Sequence, residues 1–147
     1  MLKTVFAAAR VVFGAGGGHA SENIEQLRAK AEQGDALAQF TLGEMYEKGR
    51  GVPQDDKRAA AWYRKSAEQG FANAQVNLGW KYDKGQGVPQ DFAQAYMWLN
   101  LAAAQGNKTA IKARDLAVKK AYTPSQIEEG QRLAREWLAA HPQSRGE

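Results

Sequence analysis

The sequence contains no cysteine, so disulfides, thiolate zinc sites and cysteine nucleophiles are all excluded. Histidine is almost as scarce: His19 and His141 stand at opposite ends of the chain, and neither has a second histidine or a carboxylate at ligand spacing. No metal site and no cofactor are expected. No serine sits in a Gly-x-Ser-x-Gly elbow, which argues against a hydrolase of that type. The acidic neighbours Asp55-Asp56 and Glu128-Glu129 would point apart by about 100° on a helix, so they read as caps and solvated faces. With no catalytic set in sight the chain is expected not to be an enzyme. A hydrolase with a cryptic carboxylate site is the remote alternative.

Charge of one sign never accumulates. The net charge is +4, but no run of lysine and arginine exceeds two residues. Basic and acidic side chains alternate, as in Glu44, Glu47, Lys48, Arg50 and Asp55, Asp56, Lys57, Arg58. A mixed, solvated surface follows, and a nucleic-acid partner does not. Long hydrophobic runs are missing too. The longest apolar stretch, Val5 to Ala15, is broken by Arg10 and is too short to span a bilayer. No integral membrane span is expected.

That stretch follows Lys3 and ends in Gly18-His19-Ala20, the basic, apolar, small-residue order of a secretory leader. Residues 1–20 are read as a signal peptide and the protein as periplasmic or secreted. A disordered leader on a cytoplasmic protein is the alternative, because Arg10 is costly inside an apolar region. The run Gly14–Gly18 lacks the Lys-Ser/Thr of a phosphate-binding loop. Loss of Lys3 and Arg10 with the leader would lower the net charge from +4 to +2.

What the chain does have is a repeat. Sliding it by 36 positions superposes Gly34, Gly70 and Gly106, then Ala38 on Ala74, Gln39 on Gln75, Leu42-Gly43 on Leu78-Gly79 and Tyr46 on Tyr82. The loop Gly51-Val52-Pro53-Gln54-Asp55 falls on Gly87-Val88-Pro89-Gln90-Asp91, followed by Trp62 on Trp98 and Gln69 on Gln105. Each copy predicts two helices. In the first, from about Asp35 to Lys48, Ala38, Leu42 and Tyr46 share one face. Gly49 ends it in a left-handed conformation, and Pro53 bars continuation. Asp55 and Asp91 are N-caps of the second helices, with Gln94 placed to complete a capping box. Those helices carry Ala59, Trp62 and Ala67 inward and stop at Gly70. Gly43 and Gly79 inside helices imply a neighbouring helix too close for a β-carbon.

The copies fade at both ends. Ile24, Leu27 and Ala31 give one helix upstream. Asn107 to Lys120 is a first-type helix without Leu-Gly-x-x-Tyr, and Thr123-Pro124-Ser125-Gln126 caps a last helix that uses Ile127, Leu133, Trp137 and Leu138. Each pair buries its apolar face only by stacking on the next. The fold class is therefore all-α: a right-handed α/α solenoid of about three helix-turn-helix repeats over 21–141, with a closing helix and a flexible tail at 142–147.

The run Ala-x-x-x-Leu-Gly-x-x-Tyr-x-x-Gly-x-Gly-Val-Pro-x-Asp-x-x-x-Ala-x-x-Trp, at Ala38–Trp62 and Ala74–Trp98, resembles the Sel-one-like repeat (SLR) family, a branch of the tetratricopeptide-like helical repeats. The resemblance covers residues 22–140. It implies a scaffold that binds another protein or peptide segment. The β-lactamase role of cysteine-rich relatives does not carry over, because their paired cysteines are missing. In such solenoids the first helices line a concave groove. Trp80 stands where the preceding repeat has Glu44, so the repeat itself does not demand an aromatic there. The expected groove comprises Phe40, Glu44, Val76, Asn77, Trp80, Lys84 and Lys112, with Trp80 either its hot spot or plain core. An envelope factor binding polysaccharide or peptidoglycan, with Trp80 stacking on sugars, is the competing reading. With few repeats, an exposed end also leaves a homo-oligomer open.

Overall fold

The computed structural model describes residues 18–145. They form seven α-helices: α1 (Gly18–Glu32), α2 (Ala36–Lys48), α3 (Asp56–Glu68), α4 (Ala72–Lys84), α5 (Phe92–Ala104), α6 (Lys108–Lys120) and α7 (Pro124–Ala140). Among the described residues there is no strand. Residues 1–17, most of the expected leader, lie outside them, and Gly18–Ala20 form the first turn of α1. The expected tail begins with a 3-10 turn, Pro142–Arg145.

The helix ends sit where their chemistry puts them. Asp35, Asp55, Asp91 and Asn107 each accept the backbone N–H three residues on, and Thr123 with Gln126 closes a full capping box. Asp91 caps α5 through the Gln94 backbone alone. Gly49 and Gly85 end α2 and α4 in the left-handed region, which a side chain resists.

The helices pair as α2 with α3 and α4 with α5, and α4 stacks on α3. Ala38, Leu42, Tyr46 and their equivalents Ala74, Leu78 and Tyr82 are all buried. A β-carbon on Gly43 would lie 2.5 Å from the Tyr63 ring, and one on Gly79 would lie 3.1 Å from Leu99 Cγ. Close helix crossing therefore accounts for both glycines. The recurring glutamines are stitches between layers. Gln39 and Gln75 are buried and donate to Ala31 O and Ala67 O, while Gln69 donates to Gln39 and Gln105 to Gln75. Ala31 O and Ala67 O also accept the backbone N–H of Gly34 and Gly70, so each buried glutamine amide finds its acceptor on a carbonyl at the end of the preceding helix.

The C-terminal end breaks the pattern. α7 packs along α5 and makes no extensive contact with α6, so two full pairs are flanked by the single first-type helix α6 and the backstop α7. The residues explain this. Where α3 exposes Lys57, Ala61 and Lys65, α5 has Ala93, Met97 and Leu101, the last two buried. This apolar outer face of α5 needs a cover. α7 supplies it: a β-carbon on Gly130 would lie 2.8 Å from Ala93 O, and Trp137 meets Trp98 edge-on. Meanwhile α6 has Asp115 where α2 and α4 have the crossing glycine, so no partner helix approaches there. The two equivalent tryptophans part company for the same reason. Trp98 is buried, while Trp62, expected inward, is only half-buried under the Lys65 ammonium.

Candidate functional site

The first helices α2, α4 and α6 form two successive clefts over the second helices α3 and α5. The α2–α4 cleft is filled. Tyr63 reaches into it from α3 and donates its hydroxyl to Glu47 at 2.6 Å. Lys81 enters from α4, its side chain 2 % exposed, with Nζ 2.6 Å from Glu47 and 3.3 Å from Asp56. A lysine so deeply buried is tolerated only because carboxylates pair it. Burial alone would raise Glu47, but the Lys81 and Tyr63 hydrogen bonds and the Lys81 charge outweigh it and hold the carboxyl below its ordinary value. Burial, reinforced by the Glu47 acceptor, pushes the Tyr63 phenol well above the usual range. Phenol, carboxylate and ammonium thus lock α2, α3 and α4 together.

The α4–α6 cleft is open. It is a depression of about 180 Å³ lined by Trp80 and Asp83 of α4, Leu99 of α5, Ala113, Leu116 and Ala117 of α6, then Ala121 and Tyr122. Trp80 and Leu116 are large apolar side chains left 36 % and 50 % exposed. The lining is mainly hydrocarbon, and its one carboxylate is Asp83, which accepts the Tyr122 hydroxyl at 2.5 Å. Burial and that bond push the Tyr122 phenol up as well. Lys84 rests its ammonium 5.9 Å from the centre of the Trp80 ring.

Comparison with known proteins decides what this framework is. A sequence profile described as the Sel1 repeat matches residues 36–71 and 72–107, which are the pairs α2–α3 and α4–α5. A Sel1 repeat protein from Oxalobacter formigenes has a structure that superposes with a TM-score of 0.64, at 45% identity, over 65% of this chain and 71% of that one. The chain belongs to the Sel1 repeat family. Its fold also superposes on a protective antigen of uropathogenic Escherichia coli displaying an SLR fold, with a TM-score of 0.79 and 34% identity over 90% of this chain and 28% of that one. A secretory immunoglobulin A-binding protein, EsiB, of Escherichia coli O6:H1 is 48% identical over 44 residues, which is 30% of this chain and 9% of that protein. The chain thus spans less than a third of these two longer relatives. Sel1 repeat proteins are generally protein-interaction modules, and the fold is typically a non-catalytic scaffold.

In this Sel1 repeat protein the seven expected groove residues do not come together in one site. Phe40 packs against Tyr63 and Phe71, with ring centres 5.9 and 5.3 Å apart, and Asn77 lies near the Tyr63 hydroxyl. Glu44 pairs with Lys48 at 3.8 Å on the same helix. Val76 is 5 % exposed and packs with Leu99 and Ala102, so it supports the face from beneath. Only Trp80, with Lys84 beside it, borders the open cleft; Lys112 is exposed on α6 and does not line it. Asp83, Leu99, Leu116, Ala117 and Tyr122 are the residues that sequence reasoning missed. For Leu99 and Ala117 the signal was present at the offset of 36, where they replace Tyr63 and Lys81.

Among the described residues no group of three or more histidine, cysteine or acidic side chains is placed to hold a metal. His141 is stacked on Trp137 at 4.0 Å and bonded through Nδ1 to the Trp137 carbonyl, as a closing contact of α7. Among the described residues no helix is long and apolar enough to cross a membrane.

Proposed function

We propose that this chain is a non-catalytic scaffold that holds a segment of a partner protein against the α2–α4–α6 face, anchored at the α4–α6 cleft. The observation that carries this reading is Trp80. A tryptophan at the rim of an apolar depression, flanked by polar side chains, has the composition of a binding hot spot. The repeat places no aromatic at this position, so Trp80 is not there to complete the stack. A polysaccharide ligand is less well served, because Leu99, Leu116, Ala113 and Ala117 offer hydrocarbon where a sugar's hydroxyls need partners.

Trp80→Ala is expected to leave the helical circular dichroism intact and to weaken a partner, recovered by pull-down and then titrated in purified form, by about 30-fold or more. Unchanged affinity would remove the cleft from the interface, and loss of helicity would make Trp80 core.

The leader pattern of Lys3, Val5–Ala15 and Gly18–Ala20 supports export from the cytoplasm. Intact mass spectrometry of the protein from its host is expected to show a chain beginning after Ala20. A mass that includes Met1 counts against export.

A further inference from the structure

The open cleft is the filled cleft without its ammonium and without the second carboxylate that pairs it. At the offset of 36, Tyr63 becomes Leu99, Lys81 becomes Ala117, Glu47 becomes Asp83 and Asp56 becomes Phe92. In the first cleft Glu47 receives a phenol and an ammonium. In the second, the phenol is supplied again from another direction: Tyr122, at the end of α6, donates to Asp83. The ammonium is not. Ala117 is too short to provide it, Lys84 lies over Trp80, and among the described residues no lysine or arginine pairs with Asp83.

We propose that the α4–α6 cleft is a receptor for a lysine side chain of the partner segment, which takes the place that Lys81 fills in the preceding repeat. This rests on the reading of that cleft as the partner site and names what enters it. The fit follows from the chemistry of the lining. Four methylenes need hydrocarbon, and Leu99, Leu116 and Ala117 supply it. The ammonium needs an anion and electron-rich faces at the far end, and Asp83 lies beside Tyr122, whose ring is 5.0 Å from that of Phe92. Trp80 at the rim covers the stem and excludes water, which strengthens the charge pair. A purely apolar side chain would fill the same space and leave Asp83 with its phenol alone.

The test uses four pentapeptides, acetyl-Ala-Ala-X-Ala-Ala-amide with X as lysine, arginine, norleucine or glutamate, titrated into the full chain and followed by amide shifts. The lysine peptide is expected to shift Asp83, Leu116, Ala117 and Tyr122 and to bind about tenfold tighter than norleucine, the worth of one charge-assisted bond. Asp83→Asn keeps an acceptor for Tyr122 and is expected to reduce lysine binding to the norleucine level. Ala117→Lys is expected to plug the cleft from within and abolish binding. Norleucine binding as tightly as lysine, with Asp83→Asn silent, overturns the lysine assignment but leaves an apolar partner site standing. No shift with any peptide overturns the lysine assignment, whereas a Trp80→Ala variant that keeps full partner affinity sinks the site itself. Arginine binding more tightly than lysine also overturns it, since a planar guanidinium has no counterpart in the filled cleft.

Discussion

Gly87→Ala is expected to destabilise the protein by about 3–4 kcal/mol, far more than alanine at Gly51 or Gly106. A β-carbon on Gly87 would lie 2.1 Å from Asp56 O and 2.9 Å from Lys57 N, on a residue whose φ is +75°. The obstruction is the backbone of α3's first turn, which cannot rotate away as a side chain can. The α4–α5 loop must lift, and Asp56 also anchors Lys81 at 3.3 Å, so the displacement reaches the filled cleft. Gly106 separates conformational strain from collision. Its φ is +85°, but a β-carbon there meets nothing within 4 Å, so Gly106→Ala should cost only the strain of about 1–2 kcal/mol. Gly51 lies between them. Its φ is +71°, and its β-carbon would meet the tip of the Ile24 side chain at 2.6 Å, which can rotate aside. Urea unfolding of the three variants should therefore rank Gly87, Gly51, Gly106 from worst to mildest. A Gly87→Ala midpoint no lower than that of Gly106→Ala would mean that the loop is free to move.

This ranking shows why the fold was readable in the sequence and where reading stopped. Two copies at one offset disclose what every layer needs. Gly43 and Gly79 disclosed the close crossing, Asp55 and Asp91 the caps, Gly49 the left-handed turn, and Thr123 with Gln126 the capping box. These are local demands, made by a residue on its own backbone or on the helix beside it. The path of α7 is a different kind of fact. It depends on α5 being apolar on its outer face at Met97 and Leu101, where α3 is not. That signal lies in how the copies differ, whereas the repeat was found through how they agree.

The candidate site obeys the same logic. Trp80 stood out because it departs from the repeat at a position where the copies are otherwise read side by side. Val76 and Phe40 were grouped with it by helical spacing, but spacing cannot tell which side of a first helix the next layer covers. Lys81 was invisible for a related reason. A lysine on a helix is ordinarily solvated, and nothing near it in the chain announces that Glu47 and Asp56, both distant in sequence, converge on its ammonium.

Glu47→Ala is expected to cost roughly 2–3 kcal/mol, somewhat below the usual 3–5 for breaking a buried pair, because Glu47 is 34 % exposed. The loss leaves Lys81, 2 % exposed, with Asp56 alone at 3.3 Å, and takes the acceptor from Tyr63. Removing the other partner is milder. Lys81→Met fills the same volume with an apolar chain, and the offset repeat already has Met45 at this position. The carboxylates it leaves behind are partly hydrated, so about 1 kcal/mol is expected at neutral pH. The double variant should then recover most of the Glu47→Ala loss, as coupling within one network requires. The pH dependence separates the cases further. In the folded protein Glu47 is held below its ordinary value of 4.5, so its contribution is complete above that pH and is lost as the pH falls through the lowered folded value. Without Lys81, burial is the largest influence left on the carboxyl and pushes it upward, so the unfolded chain no longer binds the proton more readily than the folded one. The Lys81→Met penalty should therefore be greatest at neutral pH and shrink as the pH drops below 4.5. A penalty that stays constant over that range would show that Lys81 serves the cleft by filling volume, with its charge contributing nothing.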